Sequence, residues 1–315
     1  MKQELDISVV VPLYNEEESL PELVEWIDRV ARTNNLSYEI IMVDDGSSDR
    51  SWAVVEELKA KYSTIRGISF MRNYGKSAAL CCGFEMARGE VVFTMDADLQ
   101  DSPDEIPEMR RMIVEEGYDL VSGWKRKRHD PISKRWPSKF FNLTARLMSG
   151  IKLHDFNCGL KAYRRKVVKA IEVYGEMHRY IPILAKDAGF KRIGEKVVEH
   201  HERKYGKSKF GLERMIKGYL DLISVSFMSH FGRSPMYLFG GLGTLMFLFG
   251  FGAVVWIIIE KFVASRSLTN QPLFYLSLVA ILLGAMLFLA GFLGELINRR
   301  STDRNKYLID KQIDE

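Results

Sequence analysis

The sequence contains few cysteines, little net charge and neither of two common nucleotide-binding motifs. Its three cysteines, Cys81, Cys82 and Cys158, form no CxxC pair, which argues against a disulfide framework and a cysteine-based zinc site. A formal net charge of +4 over 315 residues is too small to indicate a nucleic-acid-binding protein. No GxGxxG follows the first apolar run and no GxxxxGK[ST] occurs, so dinucleotide-dependent oxidoreductases and P-loop ATPases lose their main signature.

The start of the chain lacks an apolar segment, whereas its C-terminal part contains two. Residues 1–6 form no apolar run, so we expect no cleaved export signal and a folded domain in the reducing cytosol. Residues 237–259 and 273–293 contain no charged side chain. At about 1.5 Å per residue, each run can cross about 30 Å of hydrocarbon. Two buried core helices are the alternative, but uncharged runs of this length favour membrane spans.

The charges beside these runs predict their orientation. The loop at 260–272 contains only two basic residues, Lys261 and Arg266, whereas more of them flank the pair: Arg214, Lys217, Arg233, Arg299, Arg300, Arg304 and Lys306. The positive-inside rule then places both termini in the cytoplasm. Residues 209–231 have apolar side chains at helical spacing, which suits a helix on the membrane surface or a plain packed helix. We expect a cytoplasmic domain at 1–208, juxtamembrane helices at 209–235, spans at 236–298 and a cytoplasmic tail at 299–315.

The N-terminal part alternates short β-branched runs with amphipathic stretches, a pattern typical of βαβ units and a mostly parallel sheet. The predicted strands are 7–11, 39–43, 65–70, 91–95 and 120–122. The predicted helices are 17–32, 49–61, 76–87 and 103–116, with Ser48 and Ser102 as caps for two of them. The glycines of the first apolar run, which are Gly240, Gly241, Gly243, Gly250 and Gly252, would permit close approach of another helix.

Polar motifs follow three of the predicted strands. They read PLYNE at 12–16, DDGSSD at 44–49 and DADLQD at 96–101. Each motif alone could be turn chemistry, because Asp, Gly and Ser favour turns and caps. Ligands of open α/β sheets bind outside the carboxyl ends of strands, so together the motifs predict one crevice.

Asp96 and Asp98 are separated by one residue at the end of an apolar strand. Paired carboxylates of this kind suit Mg²⁺ or Mn²⁺ shared with substrate phosphates, and such a cation would stabilise a departing diphosphate. Helix capping is the alternative for both aspartates. The loop NYGKS at 73–77 opens a predicted helix and is equally compatible with phosphate binding and with a simple cap.

These motifs, in this order, with NYGKSAAL at 73–80, DFNCGLKAYRR at 155–165 and ERKYGKSKFG at 202–211, resemble the family 2 glycosyltransferases of the GT-A fold. More narrowly, they resemble the polyprenyl-phosphate branch, which includes dolichyl-phosphate mannose synthases, bacterial O-antigen glucosyl-carrier enzymes and undecaprenyl-phosphate aminoarabinose transferases. The resemblance implies a GT-A, Rossmann-like, mostly parallel sheet with helices on both faces, followed by two transmembrane helices.

The resemblance also implies roles for residues of the donor site. The implied nucleoside-binding residues are Pro12, Tyr14, Glu16 and Asp44, and the implied diphosphate site comprises Asp96, Ala97, Asp98 and Gln100. Asp96, Asp98 and Gln100 would hold the metal. Arg203 and Lys209 would close over the donor phosphates, although a solvated basic loop is the alternative for this pair.

The resemblance places the acceptor phosphate at the basic segment WKRKRHDPISKRWPSK, residues 124–139. Its implied ligands are Arg126, Lys134, Arg135 and Ser138, because arginine forks bind phosphate oxygens well. Attraction of anionic headgroups is the alternative. Asp155 is implied near the reaction centre, as is Asp98. Lys161 stands where the family more often has arginine, so a bidentate contact is not expected there.

The sequence therefore predicts an inverting transfer of a hexose, with UDP-glucose or a related UDP-hexose as the expected donor, to polyprenyl phosphate. The expected setting is a bacterial inner membrane, with membrane lipids as partners, no nucleic acid, and a tetramer by resemblance. A phosphate acceptor is largely ionised at neutral pH because its second pKa is about 6, so Asp155 either removes a proton or only orients the acceptor. The alternatives are a processive polysaccharide synthase, which two spans and the missing QxxRW disfavour, and a non-catalytic scaffold.

Overall fold

The structure is a computed structural model that describes residues 5–126, 142–173, 175, 177–202, 204, 205, 227, 234–264 and 271–300. The chain divides into two units, Met1–Ser226 and Phe227–Glu315. The first contains the α/β sheet and the second contains two long apolar helices. The predicted juxtamembrane helices at 209–235 lie largely outside the described residues.

The described part of the first unit contains one seven-stranded sheet in the order β3-β2-β1-β4-β6-β5-β7. The strands are β1 (Ile7–Leu13), β2 (Tyr38–Asp44), β3 (Ile65–Ser69), β4 (Val91–Thr94), β5 (Leu120–Trp124), β6 (Lys161–Arg164) and β7 (Ile193–Val197). Only β6 runs antiparallel to its neighbours, β4 and β5. The carboxyl ends of the other six strands therefore meet at one edge, where β6 begins.

Helices cover both faces of this sheet. They are α1 (Leu20–Thr33), α2 (Ser51–Lys61), α3 (Lys76–Met86), α4 (Ile106–Val114), α5 (Arg165–Ala170) and α6 (Ile181–Asp187), and residues 142–149 are also helical. Val9 and Val11 of β1 pack in one core with α1, α2 and α4. Val10 points to the other core, with α3, α5 and α6. This alternation follows from the two-residue period of a strand, and it confirms the predicted fold class.

The five predicted strands and four predicted helices are present, with shifted ends. Helix α1 begins at Leu20 rather than at residue 17, because residues 17–19 form a turn. The cap predicted at Ser48 is wrong: α2 follows Arg50 without a side-chain cap, and the Oγ of Ser48 lies 3.4 Å from Asn15 Oδ1 instead. Ser102 does cap a short 3₁₀ helix, Pro103–Glu105, by accepting a hydrogen bond from the Asp104 N–H.

A buried carboxylate organises the opposite edge of the sheet. Glu39 accepts hydrogen bonds from Ser8 Oγ at 2.7 Å, from Arg66 at 2.9 Å and from the side chain of Arg88 at 2.8 Å. Burial alone would raise the pKa of Glu39, but hydrogen bonds from Arg88, Ser8 and Arg66 hold it below its ordinary value. This network lies at the amino ends of the strands, away from the predicted crevice.

The second unit is an antiparallel pair of helices, α7 (Pro235–Ala264) and α8 (Pro272–Arg300). Both are long and apolar enough to cross a membrane. A Cβ added to Gly243 would lie 2.6 Å from the carbonyl oxygen of Gly284, and one added to Gly250 would lie 2.7 Å from that of Ser277. These two glycines therefore let the backbones touch, whereas Gly241 has no such neighbour within 4 Å.

Candidate active site

Two loops at the carboxyl edge of the sheet are joined by hydrogen bonds. The Asn15 N–H donates to Ser47 Oγ at 2.9 Å, and the Ser48 N–H donates to Asn15 Oδ1 at 2.8 Å. The Glu16 N–H donates to Ser51 Oγ at 2.8 Å. Asn15 has a positive φ of 54°, a conformation that Asn tolerates better than most residues. The PLYNE and DDGSSD motifs are thus one preformed wall, with Pro12, Tyr14 and Glu16 half-buried along it.

Asp44 lies at the end of β2 and is buried. Ser47 donates to its Oδ1 from both backbone and side chain, and Ser69 Oγ donates to its Oδ2 at 2.7 Å. A carboxylate oxygen has more than one lone pair, so Asp44 keeps acceptor capacity while its orientation is set. These contacts suit a residue that accepts an N–H from a ligand.

Asp45 fastens the NYGKS loop to the same wall. Its carboxylate accepts the N–H groups of Tyr74 at 2.7 Å and of Gly75 at 3.0 Å. Burial raises the pKa of Asp45, and these backbone hydrogen bonds partly offset that effect. Gly46 has a φ of 70°, and a Cβ there would lie 2.5 Å from the backbone of Arg72. Only glycine allows the two backbones to come this close. The DDGSSD loop therefore also positions the start of α3.

Asp96, two residues after β4, forms a hydrogen-bonded ion pair with Lys76, the first residue of α3. Burial alone would raise the pKa of Asp96, but the charge and hydrogen bond of Lys76 hold it well below its ordinary value, with smaller contributions from Lys125 and Lys161. Asp98 is buried, and its Oδ1 accepts the Gln100 N–H at 3.2 Å. Ala97 is buried beside them. Asp96 therefore lies among three lysine charges.

Gln100 extends toward the strand segment after β7. Its carbonyl oxygen accepts the His201 N–H at 2.9 Å, and its Nε2 lies 3.5 Å from the His201 carbonyl oxygen. Its metal-binding role stays a prediction. Leu99 has a positive φ of 60°, so the chain turns sharply between the aspartates and this anchor.

Two important residues of the site were missed by the motif analysis, Asp101 and Lys125. The Asp101 side chain is 0% exposed, and its Oδ1 lies 2.7 Å from the Nζ of Lys125, whose side chain is 14% exposed. A Cβ at Gly159 would lie 2.6 Å from Asp96 Oδ2 and 2.9 Å from Asp101 Oδ2. Asp101 and Asp96 thus flank one glycine. Each lies in a segment already singled out, Asp101 in DADLQD and Lys125 in the basic segment, but no local spacing relates the two.

Asp155 and Lys161 come from the DFNCGLK segment, which reaches the carboxyl edge because β6 begins there. Asp155 is buried, and its Oδ1 accepts the Asn157 N–H at 3.0 Å. Lys161 is buried and donates to the Cys158 carbonyl oxygen. Burial lowers the pKa of Lys161, while Cys158, Asp155 and Asp96 oppose that shift. This single carbonyl oxygen could not accept the several N–H donors of an arginine side chain at position 161.

Of the remaining predicted residues, Arg126 belongs to the described part of the chain. Arg126 is exposed, and its N–H donates to the Trp124 carbonyl oxygen at 3.0 Å. Lys134, Arg135, Ser138, Arg203 and Lys209 lie outside the described residues. Their assignment to the acceptor phosphate or the donor phosphates stays a prediction.

The donor set beside β4 fits a hard divalent cation. Asp96 and Asp98 supply carboxylate oxygens, and the glycine at 159 keeps open the space beside Asp96 that a Cβ would fill. Within the described ranges, no group of three or more His, Cys, Asp or Glu side chains could hold a metal ion. Mg²⁺ commonly binds through one or two carboxylates, with substrate phosphates and water as its other ligands, and the pair suits that mode.

The fold is that of an α/β protein whose polar motifs and paired carboxylates gather at the carboxyl edge of its sheet. A model of "Glycosyl transferase family 2" matches residues 8–172. The chain is 35% identical over 305 residues to a dodecaprenyl-phosphate galacturonate synthase of Rhizobium johnstonii, covering 94% of this chain and 89% of that protein. It is also 35% identical over 313 residues to an undecaprenyl-phosphate 4-deoxy-4-formamido-L-arabinose transferase of Pseudomonas aeruginosa, covering 98% and 90%.

A solved structure shares the fold at lower identity. Glucosyl-3-phosphoglycerate synthase from Mycobacterium tuberculosis, in complex with Mn²⁺, UDP-glucose and phosphoglyceric acid, aligns with a TM-score of 0.53 and 20% identity over 72% of this chain and 80% of that one. The chain belongs to glycosyl transferase family 2. It is an enzyme of that family.

Proposed function

We propose that this enzyme transfers a hexose from a nucleotide-sugar to a polyprenyl phosphate, with inversion at the anomeric carbon. The observation that carries the proposal is the Asp96 carboxylate set among three lysines, Lys76, Lys125 and Lys161. Alternating carboxylate and ammonium groups suit a site that handles a diphosphate, a divalent cation and a second phosphate. The two relatives that align over nearly the whole chain are named for polyprenyl-phosphate products or acceptors.

The nucleoside is assigned to the wall formed by the PLYNE and DDGSSD loops. Asp44 is oriented by Ser47 and Ser69, so it presents an acceptor to the N–H of a base. Uracil carries such a donor in its ring, as do thymine and guanine, so this contact is compatible with the expected UDP-sugar. The orientation of single sugar hydroxyls is read by fine pocket shape, and the hexose is therefore assigned as a class.

A divalent cation, Mg²⁺ or Mn²⁺, would be held by Asp96 and Asp98, with Gln100 as a further predicted ligand. It would supply charge stabilisation for the departing diphosphate. The fold relative from Mycobacterium tuberculosis was solved with Mn²⁺ and UDP-glucose, which supports the choice of ion. Lys76 keeps Asp96 ionised before any cation arrives.

The acceptor phosphate is assigned to the side of the site where Lys125 and Arg126 follow β5. One negative oxygen of the phosphate attacks the anomeric carbon while the nucleoside diphosphate leaves from the opposite face. A phosphate monoester with a second pKa of about 6 is mostly ionised at neutral pH, so no strong base is required. Asp155, buried and fixed by its own loop, would orient the acceptor rather than take a proton.

The setting of the reaction is also part of the proposal. The two apolar helices would hold the enzyme in a bacterial inner membrane as a multi-pass protein, with the sheet domain on the cytoplasmic side. The lipid acceptor would then be met at the membrane surface, and the nucleotide-sugar would come from the cytosol. We also propose that the enzyme forms a homo-oligomer, expected to be a tetramer by resemblance.

The test is to incubate the purified full-length enzyme with undecaprenyl phosphate, Mn²⁺ and a panel of nucleotide-sugars, and to identify the lipid product by mass. The expected product carries one hexose per lipid. Products with several hexose units would favour a processive synthase. Absence of turnover with every donor, in a preparation that binds nucleotide, would favour a non-catalytic scaffold.

A further inference from the structure

The loop that carries Asp155 is held by two neighbouring strands at matched positions. Ser122 of β5 pairs with Glu195 of β7 in the sheet register, so both side chains project from the same face. Ser122 Oγ donates to the Asp155 carbonyl oxygen at 3.3 Å, and Glu195 Oε2 accepts the His154 N–H at 2.7 Å. Adjacent strands thus fix adjacent residues of the loop.

The His154 side chain is fixed from two further directions. Its Nδ1 pairs with Glu195 Oε1, and because a carboxylate only accepts, the Nδ1–H is the donor. Its ring stacks on Trp124 with centroids 4.1 Å apart and an interplanar angle of 14°. His154 is nevertheless 49% exposed, against 18% for Glu195. The hydrogen bonds to Glu195 and the stacking on Trp124 therefore restrain the His154 ring although it is half-exposed.

Trp124 connects this arrangement to the basic segment. It is the last residue of β5 and directly precedes Lys125, which pairs with Asp101 beside the carboxylate site. Trp124 lies two residues after Ser122, so it projects from the same face of the sheet. The Trp124, His154 and Glu195 side chains therefore tie the start of the basic segment to the loop that carries Asp155. We call them the Trp124–His154–Glu195 unit.

We infer that the Trp124–His154–Glu195 unit is a positioning device, which sets the distance between Asp155 and the phosphate-binding cations Lys125 and Arg126. Glu195 acts through its hydrogen bonds to His154 and touches no substrate itself. The inference rests on the proposed polyprenyl phosphate acceptor. An attacking oxygen must be placed to within about 1 Å, because misplacement of that size by a remote change can cost about 100-fold in rate. None of these three residues was a predicted site residue.

The experiment compares Glu195→Leu with Glu195→Gln in the full-length enzyme. Glutamine can accept the His154 N–H and still hydrogen-bond Nδ1 in its other tautomer, whereas leucine can do neither. We expect Glu195→Leu to raise the KM for undecaprenyl phosphate by about tenfold or more, with donor affinity, titrated without acceptor, changed by less than about twofold. Glu195→Gln should restore most of the acceptor KM.

The matched control is Glu105→Leu, since Glu105, like Glu195, pairs with a basic side chain, here Lys196 of β7, and accepts a backbone N–H, that of Glu199. It should lower the thermal stability as much as Glu195→Leu while leaving the acceptor KM unchanged. A Trp124→Leu, Glu195→Leu double variant should lose no more than the worse single variant, because both break one unit.

Three results would overturn the inference. The first is an unchanged acceptor KM in Glu195→Leu, the second is Glu195→Gln as defective as Glu195→Leu, and the third is losses that multiply in the double variant. In these cases the wild-type enzyme still makes the lipid-linked sugar, so the proposed function stands. If the wild-type enzyme makes no such product from any donor, the acceptor assignment fails and the positioning role fails with it.

Discussion

Lys76 and Asp96 form an ion pair that joins the first residue of α3 to the loop after β4. Asp96 is still 34% exposed, so this carboxylate is accessible to a ligand while it is held ionised. The ammonium supplies, within the chain, a counter-charge of the kind that a divalent cation would add. Removing the carboxylate should therefore affect chemistry more than folding.

The first prediction concerns the paired carboxylates. Asp96→Asn or Asp98→Asn should raise the activation free energy of metal-dependent transfer by about 2 to 4 kcal/mol, because charge stabilisation of the leaving diphosphate is lost. The rate should fall roughly 30- to 1000-fold. Initial rates at saturating donor and Mn²⁺ would measure the loss, and EDTA should mimic it in the wild type. A folded double variant that keeps wild-type turnover would refute the metal assignment.

The second prediction separates a specific phosphate site from general headgroup attraction in the basic segment. Arg126→Lys keeps the charge but loses the planar fork, so we expect transfer to fall about 5- to 100-fold at low acceptor concentration. Arg135→Lys should behave alike. Membrane attachment and donor affinity should stay near wild type in both. Lys127→Ala is the control, and equal small losses in all three variants would show that the acceptor phosphate binds elsewhere.

The third prediction concerns pH and the Glu39 network. The pKa of Glu39 is lowered in the folded protein, so its stabilising effect is present above the unfolded value of about 4.3 and is lost as the pH falls through the folded value. Glu39→Gln should cost about 1 to 3 kcal/mol at pH 7, less than a fully buried pair, because Arg66 and Arg88 are partly exposed.

Thermal unfolding of wild type and Glu39→Gln between pH 7 and pH 3.5 would measure this difference. It should be constant above about pH 5.5 and shrink below about pH 4.5. Glu57→Gln is the control, because its ion pair with Arg50 is exposed and such pairs contribute little. A difference that stays the same down to pH 3.5 would contradict the role of the Glu39 charge.

The fourth prediction concerns the packing of α7 against α8. Gly243→Ile should destabilise the helix pair by roughly 1 to 3 kcal/mol, since its Cβ would meet the Gly284 carbonyl oxygen and force the backbones apart. Gly241→Ile, on the same helix but without a neighbour, should be nearly neutral. Unfolding of both variants in mild detergent would show the difference. Equal stability would mean that the contact does not hold the pair.

The fifth prediction concerns topology. With Cys81 and Cys82 changed to serine and Cys158 to alanine, a single cysteine at Ser267 should react with an impermeant maleimide in intact cells, and one at Ser301 should react only after lysis. The reason is the excess of basic residues flanking the pair over those in the loop between them. The reverse labelling pattern would place the sheet domain outside, away from a cytosolic donor.

The sequence predicted the structure best where apolar residues form long, regular patterns or continuous runs. Strands β1 and β2 are almost continuous runs of buried β-branched and aliphatic residues, and the sheet, its helices and the two apolar helices followed from such patterns. Strands β6 and β7 were not predicted. They read KAYR and IGEKV, too short and too charged for periodicity to reveal, and tertiary pairing with β4 and β5 makes them strands.

Site residues within a local motif could be singled out from the sequence, whereas those defined by a distant partner could not. The motifs singled out Asp44, Asp96 and Asp98, because each stands after a predicted strand in a polar motif, and the family resemblance added Asp155; their roles stay predictions. Asp101 and Lys125 were missed because their pairing joins positions 24 residues apart, which no local spacing reveals. Glu195 was missed for the same reason, since its partner His154 belongs to a different segment of the chain.

The two apolar helices also decide how the concentration of the acceptor should be expressed. An enzyme anchored in the bilayer that contains its lipid substrate meets it by diffusion in two dimensions, so the relevant quantity is acceptor per unit area of membrane. In detergent, the apparent KM for polyprenyl phosphate should therefore follow its mole fraction in the micelle, rising as detergent is added at constant acceptor. The KM for the water-soluble nucleotide-sugar should not change with detergent.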